Sequence, residues 1–386
     1  MIIFLLMHLI IFIYLFARLI VPLNVSKKIK FVLTLLIFAA SQHYLLRFAF
    51  DSLSTPELPR LFIMFEGWCF ATVVFLFLLV LGRDLFLLFR FVFTSGRRKR
   101  ESRRYFAKKH SADRRKVMLA LTAVAAAPAA FGVSQGSRVP AVRQWDEKLP
   151  GLPKELDGLV LAHITDLHVS PLFGPDWLEA LVQKVNAMQP DLILFTGDMA
   201  DGQPELRGMD VSALASLRAP YGVYGCVGNH EYYGGYRFWM NRLQELGMTM
   251  LENSHKVIEI NGRELALAGV TDPVALEFGL PVPDVKAALA DAPEGAFKIL
   301  LEHRPSSFEH NAEFGVNLQL SGHTHGGHII GMNQLVARFN GGHVYGWYSA
   351  GPSRMYVSSG AGLWNGFPVR IGASSEIARI TLRAWE

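Results

Sequence analysis

The segment LVLAHITDLHVSPLFGPDWLEALVQKVNAMQPDLILFTGD, residues 159–198, decides the fold. It opens with an unbroken apolar run, LVLAHIT, suited to a strand buried on both faces. A helical pattern follows, with Leu178, Leu181, Val182 and Val185 at helix spacing, and a second apolar run, LILFT, closes the unit. Strand, helix and strand within forty residues indicate a layered α/β domain. Both runs end in polar punctuation: Asp166 and His168 after the first, Gly197 and Asp198 after the second.

The same alternation continues outward. YGVYGCV, ELALAGV, FKILLEH, NLQLSG and RMYVSSG read as strands, with VSALASL and YRFWMNRLQEL as helices between some of them. Three of the strands again run into ionisable residues: Gly228, Asn229 and His230; then His303; then His323 and His325 within SGHTHGGH. Ligands of α/β sheets gather at the carboxyl ends of strands. Taken singly, each cluster is an ordinary turn. Five at successive strand ends describe one convergent site.

The donor types define its chemistry. Carboxylates, an amide oxygen and imidazoles, with no cysteine among them, suit divalent Mn, Fe or Zn better than Ca or a thiolate zinc site. The donors outnumber the needs of one ion. Two ions about 3.5–4 Å apart fit, an arrangement that holds attacking and leaving oxygens during phosphoryl transfer. Extended backbone would set His323 and His325, two residues apart, side by side. Gly326 and Gly327 are read as leaving room for a phosphate rather than for packing.

The chain outside this domain is of a different kind. Of 386 residues, 51% are apolar, and the excess lies before residue 134 in runs such as MIIFLLMHLIIFIYLF and ATVVFLFLLVL. Four segments approach the length of a membrane span: Ile2 to Leu23, Ile29 to Phe50, Leu61 to Leu81 and the shorter Val117 to Val133. Up to Arg138 there are 20 Lys+Arg against 6 Asp+Glu; from Val139 there are 18 against 27. The folded domain is therefore acidic, which argues against a nucleic-acid partner; no protein partner is implied. Residues 1–133 read as an all-α transmembrane region with a basic cytoplasmic loop at 96–116, residues 134–157 as linker and first strand, and 158–386 as the catalytic domain.

Basic loops around Lys27, Lys28 and Lys30 and at 96–116 orient the region with both inside, delivering the domain outside a cytoplasmic membrane. Arg83, Asp84 and Glu66 are read as headgroup-level charges of the third span. DRRKVMLALTAVAAAPAA resembles a twin-arginine export signal, and a retained anchor is favoured over cleavage near Ala127 or Ala129. Cys69 and Cys226 are the only cysteines, too few for a disulfide framework.

Asp166-x-His168, Gly197-Asp198, Gly228-Asn229-His230-Glu231, His303 and Gly322-His323-Thr324-His325, in that order, resemble the calcineurin-like metallophosphoesterase superfamily over residues 158–383. SGHTHGGH and the tail VSSGAGLWNGFPVRIGASSEIARITL are similar to its membrane-associated bacterial members with a twin-arginine-like segment. The resemblance implies a β-sandwich flanked by helices. It implies one metal on Asp166, His168 and His325, a second on Asn229, His303 and His323, and Asp198 bridging both.

It further implies hydrolysis of a phosphodiester, pyrophosphate or phosphomonoester by a hydroxide shared between the metals, with His230 as proton donor. An anchored domain makes an envelope or lipid-linked substrate the expected kind. Two alternatives are a lipid pyrophosphatase resembling UDP-diacylglucosamine hydrolases at the cytoplasmic face, and an inactive metal-binding scaffold. Glu231 takes a place where relatives often carry aspartate. Asp201 is a candidate to orient a ligand, and His328 and Arg304 are candidates for substrate contact, with Arg370, Trp364 and Phe367 on a possible rim. His163 reads as a core histidine.

Overall fold

The computed structural model describes residues 2–43, 57–93, 112–364 and 367–385. The chain divides into two compact units, Met1–Ser134 and Gln135–Glu386.

The first unit is helical: α1 (Ile2–Leu15), which runs on as a π-helical turn to Ile20, α2 (Lys27–Ala40), α3 (Arg60–Phe93) and α4 (Ala112–Gly136). Among the described residues two helices are long and apolar enough to cross a membrane, Arg60–Phe93 and Lys116–Gly136, rather than the four segments expected. The first expected span is helical from Ile2 to Ile20, its last turn a π turn at Phe16–Ile20, and the chain turns before Leu23. The second is a helix of 14 residues as far as Ala40, and its remainder past His43 lies outside the described residues. The third is longer than expected, because α3 continues through Arg83 and Asp84. Asp84 is held there by Tyr14 Oη at 2.7 Å and by Arg18 and Arg83. Glu66 pairs with the buried His43. Most of the basic loop at 96–116 lies outside the described residues.

The second unit is a sandwich of two six-stranded sheets. The first contains β1 (Ala141–Leu149), β2 (Val160–Ile164), β3 (Leu192–Thr196), β4 (Val223–Cys226), β5 (Thr249–Met250) and β12 (Glu376–Ala384), in the order β1-β12-β2-β3-β4-β5. The second contains β6 (Ser254–Ile260), β7 (Arg263–Gly269), β8 (Phe297–Leu301), β9 (Leu318–Ser321), β10 (Gly346–Ala350) and β11 (Ser353–Val357), in the order β10-β11-β9-β8-β7-β6. β2 to β5 run parallel, as do β7, β8, β9 and β11.

The core between the sheets follows from strand alternation. Leu192 and Leu194 of β3 face Leu265, Leu267, Ile299 and Leu301 across the interface. Ile193 and Phe195, on the other face, are equally buried, so β3 is covered on both sides, as its unbroken apolar run required. The helix α5 (Pro175–Ala187) buries Leu178, Leu181, Val182 and Val185, the predicted stripe. VSALASL is a 3₁₀ segment of five residues rather than an α-helix. Each half contributes strands whose carboxyl ends meet at one edge: β2, β3 and β4 from the first sheet, β8 and β9 from the second.

Candidate metal centre

The five strands end at Ile164, Thr196, Cys226, Leu301 and Ser321, and a donor follows each within two to four residues. Asp166, His168 and His325 bring ligand atoms within 4.8 Å of one another; so do Asp198, His303 and His323, and also His168, Asp198 and His230. Asp198 belongs to two of these groups. Asn229 opens the short helix α6 (Asn229–Tyr233) at the same edge, with its Oδ1 buried and without a hydrogen-bond partner, and α7 (Tyr236–Glu245) follows.

The backbone explains how so many side chains reach one place. Asp166, His168, Asp198, His323, His325 and His328 all have φ between 46° and 69°. Left-handed backbone is costly for residues other than glycine, and it persists where surrounding structure imposes it. The expectation that His323 and His325 lie side by side on extended backbone is therefore wrong. Each ring instead turns toward a different partner: His323 Nδ1 lies 3.2 Å from His303 Nε2, and His325 Nε2 lies 3.2 Å from His168 Nε2.

The loops interlock through their main chains. Asp166 N–H donates to Gly197 O, His168 N–H to Asp198 O, and Gly322 N–H to His303 O. A Cβ on Gly228 would stand 2.2 Å from Asp198 Oδ1, and one on Gly322 would stand 2.4 Å from Asp166 Oδ2. Close approach of a carboxylate requires glycine at both places. Gly326 and Gly327 correct the earlier reading. A Cβ on Gly326 would meet Ala373 Cβ at 2.8 Å, and one on Gly327 would meet Asn333 Cα at 2.5 Å. These glycines admit protein, not phosphate.

Hydrogen bonds set the imidazole tautomers. His303 Nδ1–H donates to Thr196 O at 2.7 Å, linking the two sheets and leaving Nε2 to face Asp198 Oδ2 at 3.2 Å. His168 Nδ1 is 2.8 Å from Asp201 Oδ1, so its Nε2 faces the site. Asp201 also approaches His230 Nδ1 to 2.7 Å, an ion-pair contact whose angle is too poor for a hydrogen bond. Glu231 accepts from the backbone N–H groups of Asp198, Met199 and Gly228 at 3.0, 2.7 and 2.8 Å. It clamps the two loops together from behind.

Charge at this edge is concentrated. Burial alone would raise the pKa of Asp166, Asp198 and Asp201, but the adjacent imidazoles overcome it and hold all three below the ordinary carboxylate range. Burial pushes His323 down to about 3 and His325 well below its usual value, so both are neutral donors. Burial also opposes protonation of His230, yet Asp198 and Asp201 outweigh it and raise its pKa. Asp166 Oδ1 and Asn229 Oδ1 have no hydrogen-bond partner. Buried anions, neutral imidazoles and unsatisfied oxygens directed at common points fit divalent cations.

The remaining candidates separate. His328 lies against His325 with the rings tilted at 41° and their centroids 4.9 Å apart, beside the donor loop. Arg304 forms a two-point contact to Asp272, at 2.8 and 3.0 Å, and is part-buried. Arg370 is not on a rim: it is 1% exposed and donates to the carbonyls of Ser359, Gly362 and His325. Trp364 and Phe367 are half-buried, and Asn365 and Gly366 between them lie outside the described residues. His163 is a core residue, with Nε2 at 2.8 Å from Thr196 Oγ1.

Sequence reasoning missed two supports. Asp272 anchors Arg304 and caps its own turn by accepting from Val274 N–H. Glu302 forms a buried network with Asn311 and Gln319, and burial pushes its pKa up to about 7. A lone glutamate inside the apolar run FKILLEH was the signal for the second.

Comparison with known proteins agrees with this geometry. A family model described as calcineurin-like phosphoesterase matches residues 159–327. An uncharacterized metallophosphoesterase of Campylobacter jejuni is 33% identical over 253 residues, covering 65% of each chain; the chain thus spans slightly under two thirds of that relative's length. The protein named transmembrane protein with metallophosphoesterase domain of Danio rerio is 32% identical over 278 residues, 70% of this chain and 63% of the relative. The uncharacterized metallophosphoesterase YkuE of Bacillus subtilis is 31% identical over 247 residues, 60% of this chain and 82% of that one. On the strength of these matches, the chain belongs to the calcineurin-like metallophosphoesterase family.

Proposed function

We propose that the protein is a metal-dependent phosphoester hydrolase holding two divalent cations. The observation that carries the proposal is the convergence of Asp166, His168, Asp198, His303, His323 and His325 into donor groups linked through His168 and Asp198. Asp166, His168 and His325 would hold one cation; Asn229, His303 and His323 would hold the other; Asp198 would serve both. Bound there, the cations would supply positive charge for phosphoryl oxygens and lower the pKa of water toward neutrality. Manganese, iron and zinc suit this donor set.

The chain's own groups do the remaining work. His230 is assigned as proton donor to the leaving oxygen: its side chain is 11% exposed, the two carboxylates beside it favour the imidazolium, and Asp201 stands at Nδ1, leaving Nε2 for the substrate. Arg304 is assigned to the substrate's phosphate side as a cation near the site. His328 borders the same loop. Phosphodiesters, pyrophosphates and phosphomonoesters are the substrate classes this chemistry serves.

Two long apolar helices, and a relative that is named as a transmembrane protein, support membrane association. We assign the second unit to the outer face of a cytoplasmic membrane, from the basic loops of the first. A reporter fused after Val133 that is active only in the cytoplasm would reverse that assignment.

The function is tested with full-length protein in detergent. Metal analysis should find two equivalents of divalent ion, and an aryl phosphodiester should be hydrolysed. His230→Asn should retain the metal and lose turnover; loss of metal along with turnover would make His230 a ligand instead. Two bound metals with no hydrolysis of any phosphoester offered would favour the inactive scaffold.

A further inference from the structure

Two exposed apolar lips border the candidate site, one following the SGHTHGGH loop and one beside His230. The first follows SGHTHGGH directly. There the helix α8 (Asn333–Phe339) begins against the donor loop, since Asn333 Cα would lie 2.5 Å from a Cβ on Gly327. Met332, Leu335 and Phe339 fall at i, i+3 and i+7, a single stripe, and it faces outward. Phe339 is 78% exposed, Leu335 55% and the preceding Ile330 76%, while Val336 and Ala337 take the inward side. Apolar residues thus stand on the exposed side of this helix as well as on the side toward the protein.

The second lip belongs to the other sheet edge. Tyr233 stands beside His230, with ring centroids 5.6 Å apart, and Phe278 stands 6.3 Å from Tyr233. Leu276 on the same turn is 73% exposed. Apart from Trp385, the exposed large apolar residues of the second unit belong to these lips or to segments 206–209, 238 and 282.

Charge identifies the occupant. The second unit is acidic, yet residues 314–375 contain no Asp or Glu, while Arg338 on α8 is exposed. Apolar side chains and an exposed Arg on a stretch of chain without carboxylates match the interface of an anionic bilayer, where rings and aliphatic chains enter the acyl boundary and Arg meets the headgroups. The chain also carries two helices long and apolar enough to cross a membrane, which would keep such a surface close by. We infer that α8 and the Ile330 turn form a membrane-docking surface that sets the site edge against an anionic phospholipid bilayer. The docking is a physical contact and does not depend on hydrolysis.

The test uses the full chain in vesicles of phosphatidylcholine and phosphatidylglycerol at about four to one. A polarity-sensitive NBD label goes on Phe339→Cys, or separately on Leu335→Cys, with Cys69→Ser; Cys226 is buried and unreactive. A matched label on Glu259→Cys, exposed on β6, is the control. The 339 and 335 labels should show blue-shifted emission and be quenched by doxyl-labelled lipid several-fold more strongly than the 259 label. Equal, water-like emission at all three sites overturns the inference. A blue shift that doxyl lipid does not quench, and that grows with protein density, also overturns it by making a second copy of the chain the occupant. None of these outcomes requires turnover, so they stand apart from the test of the hydrolase.

Discussion

The two donor groups, Asp166 with His168 and His325 and Asp198 with His303 and His323, are built differently. Asp166, His168 and His325 are fully buried, with His168 oriented by Asp201 and the His325 loop tied to the tail by Arg370. His303 and His323 come from the second sheet, and His303 is fixed by a carbonyl of the first, Thr196 O. The first group is braced by ionised side chains in a closed setting. The second is braced by main chain across the sandwich and opens toward His230 and Arg304. Under the proposed hydrolase function, the first group would retain an ion and the second would lie where a substrate arrives.

The comparison can be broken most severely at Asp198, the carboxylate proposed to serve both halves. Asp198→Ala should lower turnover by on the order of 10³-fold or more and reduce the content of both metals, measured by elemental analysis beside hydrolysis. Retention of two metals with full activity would remove the shared-carboxylate reading. Chelation of the wild type should give the same loss, reversed by adding Mn or Zn.

Separating the halves is the next test. His325→Ala and His303→Ala should each leave about one equivalent of metal, and each should cost roughly 10²-fold in turnover. Equal loss of both ions from either variant would mean that the groups do not act separately. Asp201→Ala should cost about 10–100-fold through the orientation of His168, and through His230 as well, with the pH profile moved if His230 is the donor. Glu231→Ala leaves three buried N–H groups without an acceptor; about 3 kcal/mol of stability should be lost, seen as a lower unfolding midpoint. The smallest effect is expected at the open side: Arg304→Ala should raise KM several-fold, about 1 kcal/mol, with metal content unchanged.

Much of this arrangement was legible beforehand. Unbroken apolar runs at LVLAHIT and LILFT required strands covered on both faces, and each was followed by donors at the same short distance. Such a pattern survives in one dimension because a strand's end and its loop are adjacent in the chain. The N-terminal unit was less legible. Hydrophobicity marks a segment as apolar, but whether a helix continues past charged residues, as α3 does past Asp84, depends on partners such as Tyr14 and Arg18.

What the sequence determined alone was the inventory: which side chains stand at strand ends, which strands must be buried, and the acidic balance of the domain that holds them. Tertiary structure decided the rest. It bent six donor-loop residues into left-handed backbone, assigned imidazole tautomers through Thr196 O and Asp201, packed Gly326 and Gly327 against protein, and buried Arg370. The reason is that these features are fixed by atoms elsewhere in the chain, 33 residues away for Asp201 and His168 and 107 for Thr196 and His303, and the local sequence carries no record of such a neighbour.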